Sequence, residues 1–142
     1  MTELRFSMLL EAQYRILRRF CPPPPDYRQG STHETSSRLA SLLGPALLAK
    51  VAGKVVIDFG CGSGMDAIEL ARAGARKVIG IDIREDVLKK ARENALAAGL
   101  VHKCEFVSST DERAELIVSI DAFEHFENPA AILQIMGTLL LP

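Results

Sequence analysis

"VVIDFGCGSGMD" occupies residues 55–66. Val55 to Phe59 reads as a short apolar strand carrying one acid, Asp58, and glycines follow at 60, 62 and 64. Glycine at a strand-to-helix turn permits positive φ and lets another molecule approach the backbone. The loop 60–64 is therefore expected to cradle a ligand at the carboxyl end of the strand, where open α/β sheets bind. Tight turns use glycine as well, but three alternate glycines directly after an apolar strand favour the cradle.

Downstream, helices and strands alternate. A helix is expected over 64–73, closed by Gly74. Val78 to Asp82 reads as a second strand. A helix over 84–98 carries Glu85/Lys89 and Asp86/Lys90 at i,i+4 and ends at Gly99. Cys104 to Val107 and Leu116 to Asp121 read as the third and fourth strands. Asn128-Pro129 caps a last helix through Leu140. Short apolar strands separated by helices predict a parallel sheet buried on both faces. The expected fold class is α/β with N-terminal cap helices, and right-handed crossovers leave few strand orders for the sheet.

Upstream, residues 3–20 show apolar positions at helical spacing (Phe6, Leu9, Leu10, Ile16, Leu17, Phe20), read as a cap or lid helix rather than a membrane-surface one. "CPPPPD" (21–26) ends it as a stiff spacer. Ser31 and Glu34 form a capping box for a second helix with Leu39, Leu42, Leu43, Leu47 and Leu48, bent or restarted at Gly44-Pro45. The division expected is 1–30, a helix and Pro-rich linker, and 31–142, the sheet domain.

Composition narrows the class. The 142 residues are 48% hydrophobic and 25% charged, with net charge −1. This near-neutral balance offers no basic surface for nucleic acid. No apolar run approaches the ~20 residues of a membrane span. Cys21, Cys61 and Cys104 are odd in number and widely spaced, suggesting free thiols in a reducing, cytoplasmic setting. They share no metal-ligand spacing with His33, His102 and His125, so no metal is expected.

Asp82, at the end of the second strand, is the second signal. A carboxylate there can accept hydrogen bonds from a ribose 2′,3′-diol, and its spacing from the loop fits a nucleoside-binding βαβ unit. The competing reading is an acid that caps the next helix. A dinucleotide loop wants G-x-G-x-x-G with a pyrophosphate at the helix N-terminus, but Met65 stands where the third glycine belongs. Asp58 would repel a diphosphate, since unit charges ~4 Å apart at surface-like dielectric interact by about 4 kcal/mol. The same carboxylate suits a ligand with a cationic end.

"VVIDFGCGSG", "VIGIDI" and "LIVSIDAFEHF" together resemble the class I S-adenosylmethionine-dependent methyltransferases, the last stretch being most similar to the type 11 subgroup. The resemblance covers about residues 54–142. It implies that Asp58 reaches the methionyl ammonium and that Gly60, Cys61, Gly62 and Gly64 line the methionine moiety. It implies that Asp82 holds the ribose and Ile83 packs on the adenine. It places Asp121, Ala122 and Phe123 beside the methyl group. Cys61 fills a variable position of the loop, read as a small filler, although a helix N-terminus can lower a thiol pKa. His125 is the candidate general base, with Glu124 the alternative, and both can equally serve only to orient the loop. Asp111 and Ser109 are candidates for the adenine, against the plainer reading of an acidic turn.

The resembling fold is a Rossmann-like doubly wound sheet of seven strands. The resemblance implies the order 3-2-1-4 for the four counted here, so the chain reads as an N-terminal portion truncated after the fourth strand. That strand is expected to form an open apolar edge. The expected function is methyl transfer from S-adenosylmethionine to a small-molecule acceptor, with weak or no activity from the 142-residue chain alone. The alternatives are an NAD-dependent oxidoreductase and a non-catalytic partner that self-associates through the open edge.

Overall fold

β-Branched residues crowd two five-residue stretches, and both become strands. The computed structural model describes residues 38–142, and within it β1 is Val55–Phe59, β2 Lys77–Ile81, β3 Cys104–Val107 and β4 Leu116–Val118. They form one parallel sheet, as the alternation of strands and helices predicts, and its order β3-β2-β1-β4 is the one the resemblance implies. The register sets Asp58 opposite Gly80 on one side and Val118 on the other.

Helix α1 (Arg38–Leu43) stops at Gly44, whose φ of 79° breaks the repeat, and Pro45 restarts the chain as α2 (Pro45–Leu48). Helix α3 is Met65–Arg72, α4 Glu85–Ala97 and α5 Pro129–Leu139. Asn128 starts α5 by accepting the Ala131 amide at 3.1 Å, and Pro129 at the first turn gives up no internal hydrogen bond.

Alternation along the strands splits the core in two. Val56, Val78, Cys104 and Phe106 pack with Ala67, Leu70, Ala71, Leu88, Ala91 and Ala95 of α3 and α4. Val55, Ile57, Ile79 and Ile81 pack on the other face with Ala114 and Leu139. Each buried Val, Leu or Ile side chain contributes about 1.5–3 kcal/mol. The alanine stripes let α3 and α4 approach closely. Gly80 serves the same end within β2, since a Cβ there would lie 2.5 Å from the Phe106 ring and 2.9 Å from Cys61 Sγ.

Several expectations need revision. β4 ends at Val118 rather than Asp121. The Ser119 hydroxyl donates to the Phe59 carbonyl at 2.8 Å, and Asp121 adopts φ 52°, which no strand sustains. Glu85 pairs with Arg92 at 2.6 Å, rather than one turn away with Lys89, and Arg92 also donates to the Phe106 carbonyl at 2.9 Å, tying α4 to β3. Lys90 pairs with Glu93 at 3.3 Å, instead of the expected Asp86. Of the five leucines expected to give the second helix its apolar side, Leu39 is buried while Leu42 and Leu47 are exposed. β4 lies at the sheet edge and is half-exposed. Its lead-in is nonetheless paired, because Leu140 bridges Ala114 in parallel, with Ala114 N–H donating to Leu139 and Leu141 N–H to Ala114.

The helix over 3–20, the proline spacer, the Ser31/Glu34 capping box, Cys21, His33 and the 30/31 division lie outside the described residues. Among the described residues no helix is long and apolar enough to cross a membrane, and no group of three His, Cys, Asp or Glu side chains could hold a metal ion.

Candidate functional site

The loop 60–64 leaves β1 and folds over the end of β2. Gly60 and Cys61 both donate their amides to the Ile81 carbonyl, at 2.8 and 2.9 Å, and Gly64 donates to the Cys61 carbonyl at 2.9 Å. Gly60, Gly62 and Gly64 all have positive φ (82°, 51° and 75°).

The three glycines are there for different reasons. A Cβ on Gly60 would lie 2.5 Å from the Ala122 Cβ, and one on Gly64 would lie 2.6 Å from the Phe106 ring and 2.8 Å from Ala91. Protein packing alone therefore demands glycine at both. At Gly62 a Cβ would meet nothing within 4 Å. Half-buried Gly62 is thus a loop position with open space where a side chain would stand, room that a ligand can occupy.

Asp82, 9% exposed, follows β2 directly. Its Oδ2 accepts the Gly62 amide at 3.0 Å. Its Oδ1 accepts the Arg84 amide at 2.9 Å, with Arg84 Nε at 3.4 Å. Asp82 is not the surface helix cap of the competing reading, since it is buried and accepts the amide of Arg84, which precedes α4, and not a first-turn amide. A carboxylate has about four acceptor sites and these bonds use three, which leaves room for a ligand. Ile83 beside it is 91% exposed, an unusual position for a large apolar side chain.

Asp58 is 2% exposed within β1. Its charge is felt by both buried thiols. Burial first, then Asp58 and Asp82, push the Cys61 thiol far above its ordinary value, and burial with Asp58 raises Cys104. Lowering of the Cys61 pKa by a helix N-terminus does not occur, since desolvation and two nearby carboxylates outweigh it. The Cys61 side chain packs in the core against Phe106 and Gly80, so only its backbone belongs to the loop surface.

After β4, buried Ala122 touches the Gly60 backbone face, which joins the third sequence signal to the first. Phe126 packs edge-on against Phe59 (centroids 6.0 Å) and Phe123 (5.3 Å). His125 is 76% exposed and lies 4.0 Å from Glu124. The structure therefore gathers Gly60 with Ala122 and Gly62 with Asp82, and leaves Ile83 and His125 projecting outward. Ser109 and Asp111 lie exposed after β3.

Sequence reasoning missed three contributors. Arg84 contacts Asp82, Phe126 backs the β4 loop, and Asn94 donates to the Ser63 carbonyl at 3.0 Å. Asn94 carried a readable signal, a polar residue adjoining the buried stripe Leu88, Ala91 and Ala95 of α4. Arg84 and Phe126 carried none.

A family profile described as a methyltransferase domain matches residues 50–142. The ribosomal protein L11 methyltransferase of Serratia proteamaculans (strain 568) is 40% identical over 70 residues, covering 49% of this chain and 24% of that protein. Its counterpart in Yersinia pseudotuberculosis serotype IB (strain PB1/+) is 35% identical over 88 residues, covering 62% and 30%. The chain thus spans less than a third of the length of these relatives. A crystal structure of magnesium protoporphyrin IX methyltransferase from Synechocystis PCC 6803 with bound S-adenosylmethionine superimposes with TM-score 0.60 and 27% identity, over 72% of this chain and 50% of that one. A methyltransferase from Thiobacillus denitrificans in complex with S-adenosyl-L-homocysteine shares the fold, with TM-score 0.62 and 20% identity over 92% of this chain and 51% of that one.

Proposed function

The chain belongs to the methyltransferase-domain family, and on that premise we propose that it binds S-adenosylmethionine over the carboxyl ends of β1 and β2 and serves the donor side of a methyl transfer. The observation that carries this reading is the Gly62–Asp82 pair. An open backbone position and a nearly buried carboxylate are joined at 3.0 Å where the sheet ends.

The residues present fit that ligand. Asp82 retains acceptor capacity for a ribose diol, and exposed Ile83 beside it offers the apolar surface that an adenine face would cover. Buried Asp58 gives the site the charge that suits an ammonium and a sulfonium and opposes a diphosphate. Gly60, Cys61 and Gly64 contribute backbone. Asp121, Ala122 and Phe123 form the wall beside the loop. When bound, the cofactor supplies a methyl group on a good leaving group. The chain's own residues then need only orient the acceptor and exclude water. His125, or Glu124, is the group that takes a proton where the acceptor carries one.

We assign a small molecule as acceptor, on the near-neutral charge and the aromatic cluster Phe59, Phe123 and Phe126. A protein acceptor is the second reading, favoured by the L11 methyltransferases among the relatives. An NAD-dependent activity is disfavoured by Asp58.

Amide NMR with added S-adenosylhomocysteine tests the binding site. Shifts concentrated at 60–64, 82–84 and 121–123 are expected. Shifts elsewhere, or none at saturating ligand, would remove the assignment.

A further inference from the structure

Asn94 belongs to α4, 31 residues from Ser63, yet its Nδ2 donates to the Ser63 carbonyl at 3.0 Å. Ser63 stands between Gly62 and Gly64, both at positive φ. The other tethers described above come from the loop itself and from the end of β2: the Ile81 carbonyl, the Asp82 carboxylate and the Cys61 carbonyl. Asn94 reaches the same loop from a different layer of the fold.

We propose that Asn94 is a positioning residue that fixes the shape of the glycine loop from behind; the consequence for ligand affinity rests on the cofactor reading above. Residues flanked by glycine rotate their peptide planes at little cost. The Ser63–Gly64 peptide is held by Asn94 on its carbonyl and by the Cys61 carbonyl on its amide. Removing the first takes away the restraint on the carbonyl end of that peptide and loosens it, and with it the neighbouring Gly62 backbone. A rigid helix is the right support for such a contact, because a site is only as well placed as the groups that hold it.

A merely structural role can be told apart. Asn94 is half-buried and lines an open groove of about 240 Å³ with Met65, Ile68, Arg72, Ala97 and Ala98. Truncation there opens onto solvent instead of leaving an empty core cavity, so global stability is expected to change little.

The test uses Asn94→Ala and Asn94→Asp in the 142-residue chain. The aspartate keeps the shape but sets an acceptor against the Ser63 carbonyl. Calorimetric titration with S-adenosylhomocysteine should show binding weakened about 3- to 10-fold in Asn94→Ala and further in Asn94→Asp, for the loss of one hydrogen bond. Hydrogen exchange should quicken at the Gly62 and Gly64 amides in both variants, with mid-α4 amides unchanged. Wild-type exchange at those glycines would overturn the proposal. So would faster exchange spread evenly over the domain with a lowered Tm. If the wild-type chain does not bind the ligand but exchange quickens only at the loop, the tether stands and the cofactor reading falls.

Discussion

The Gly62 amide and the Asp82 carboxylate meet at 3.0 Å across 20 residues of sequence. The glycine loop and the acid after β2 are thus one unit, and the acid shapes the loop before any ligand arrives. A change at Asp82 therefore acts twice, on the hydroxyls it would bind and on the backbone it holds.

Asp82→Ala should weaken S-adenosylhomocysteine binding by about 10- to 100-fold, since hydrogen bonds to a charged group contribute roughly 1.5–3 kcal/mol. Asp82→Asn should fall between this variant and wild type, because one carbonyl oxygen still accepts while the amide group faces a donor. Calorimetry on the three proteins gives the order, and an unaltered Asp82→Ala would disprove the role.

Substitutions at the glycines should separate packing from ligand contact. Gly64→Ala drives a methyl into Phe106 and Ala91 at a left-handed φ of 75° and should cost about 2–5 kcal/mol of stability, overpacking added to the backbone penalty. Gly62→Ala meets only the left-handed backbone penalty of roughly 1–2 kcal/mol. It should nevertheless show the larger loss of ligand affinity when folded. Urea denaturation and calorimetry read the two effects, and equal affinity losses per unit of stability would refute the division.

Alkaline pH should destabilise the domain through its buried thiols. The folded Cys61 and Cys104 thiols titrate above their ordinary value of 9.0. Their contribution to stability is complete below pH 9 and falls as the pH rises, because the unfolded chain then loses protons that the folded one keeps. For Cys61, whose shift is large, the loss is about 1.4 kcal/mol per pH unit above pH 9, and Cys104 adds in the same direction. Cys61→Ala should flatten the decline of Tm between pH 9 and 10.5, and a parallel decline in the variant would contradict the assignment.

Substitution of His125 by alanine should leave donor affinity within about twofold of wild type, as for other exposed positions. Its side chain is exposed and its recorded neighbour is Glu124. A tenfold loss would mean that the imidazole reaches the donor and not only the acceptor side.

Much of this arrangement was legible in the chain itself. β1 and β3 fall on the expected residues because runs such as Val55-Val56-Ile57 leave few alternatives; alternation with helices made the sheet parallel and left few strand orders, among which the resemblance chose. The loop and Asp82 stood out because glycine spacing and a strand-end acid are local signals. What escaped depends on three-dimensional neighbours. Nothing in "GCGSG" tells that Gly64 answers to Phe106 and Ala91 while Gly62 faces open space. Cys61 could not be assigned a raised pKa without knowing that it turns inward. The end of β4 depended on a serine hydroxyl capturing the Phe59 carbonyl, a contact between residues 60 apart.

Parallel calorimetric titrations of the 142-residue chain with S-adenosylhomocysteine and with NAD test the central claim most directly. Saturable one-to-one binding of S-adenosylhomocysteine, lost in Asp82→Ala, with no heat from NAD, is the result expected. Binding of NAD in preference, or of neither ligand to a folded chain, would contradict it.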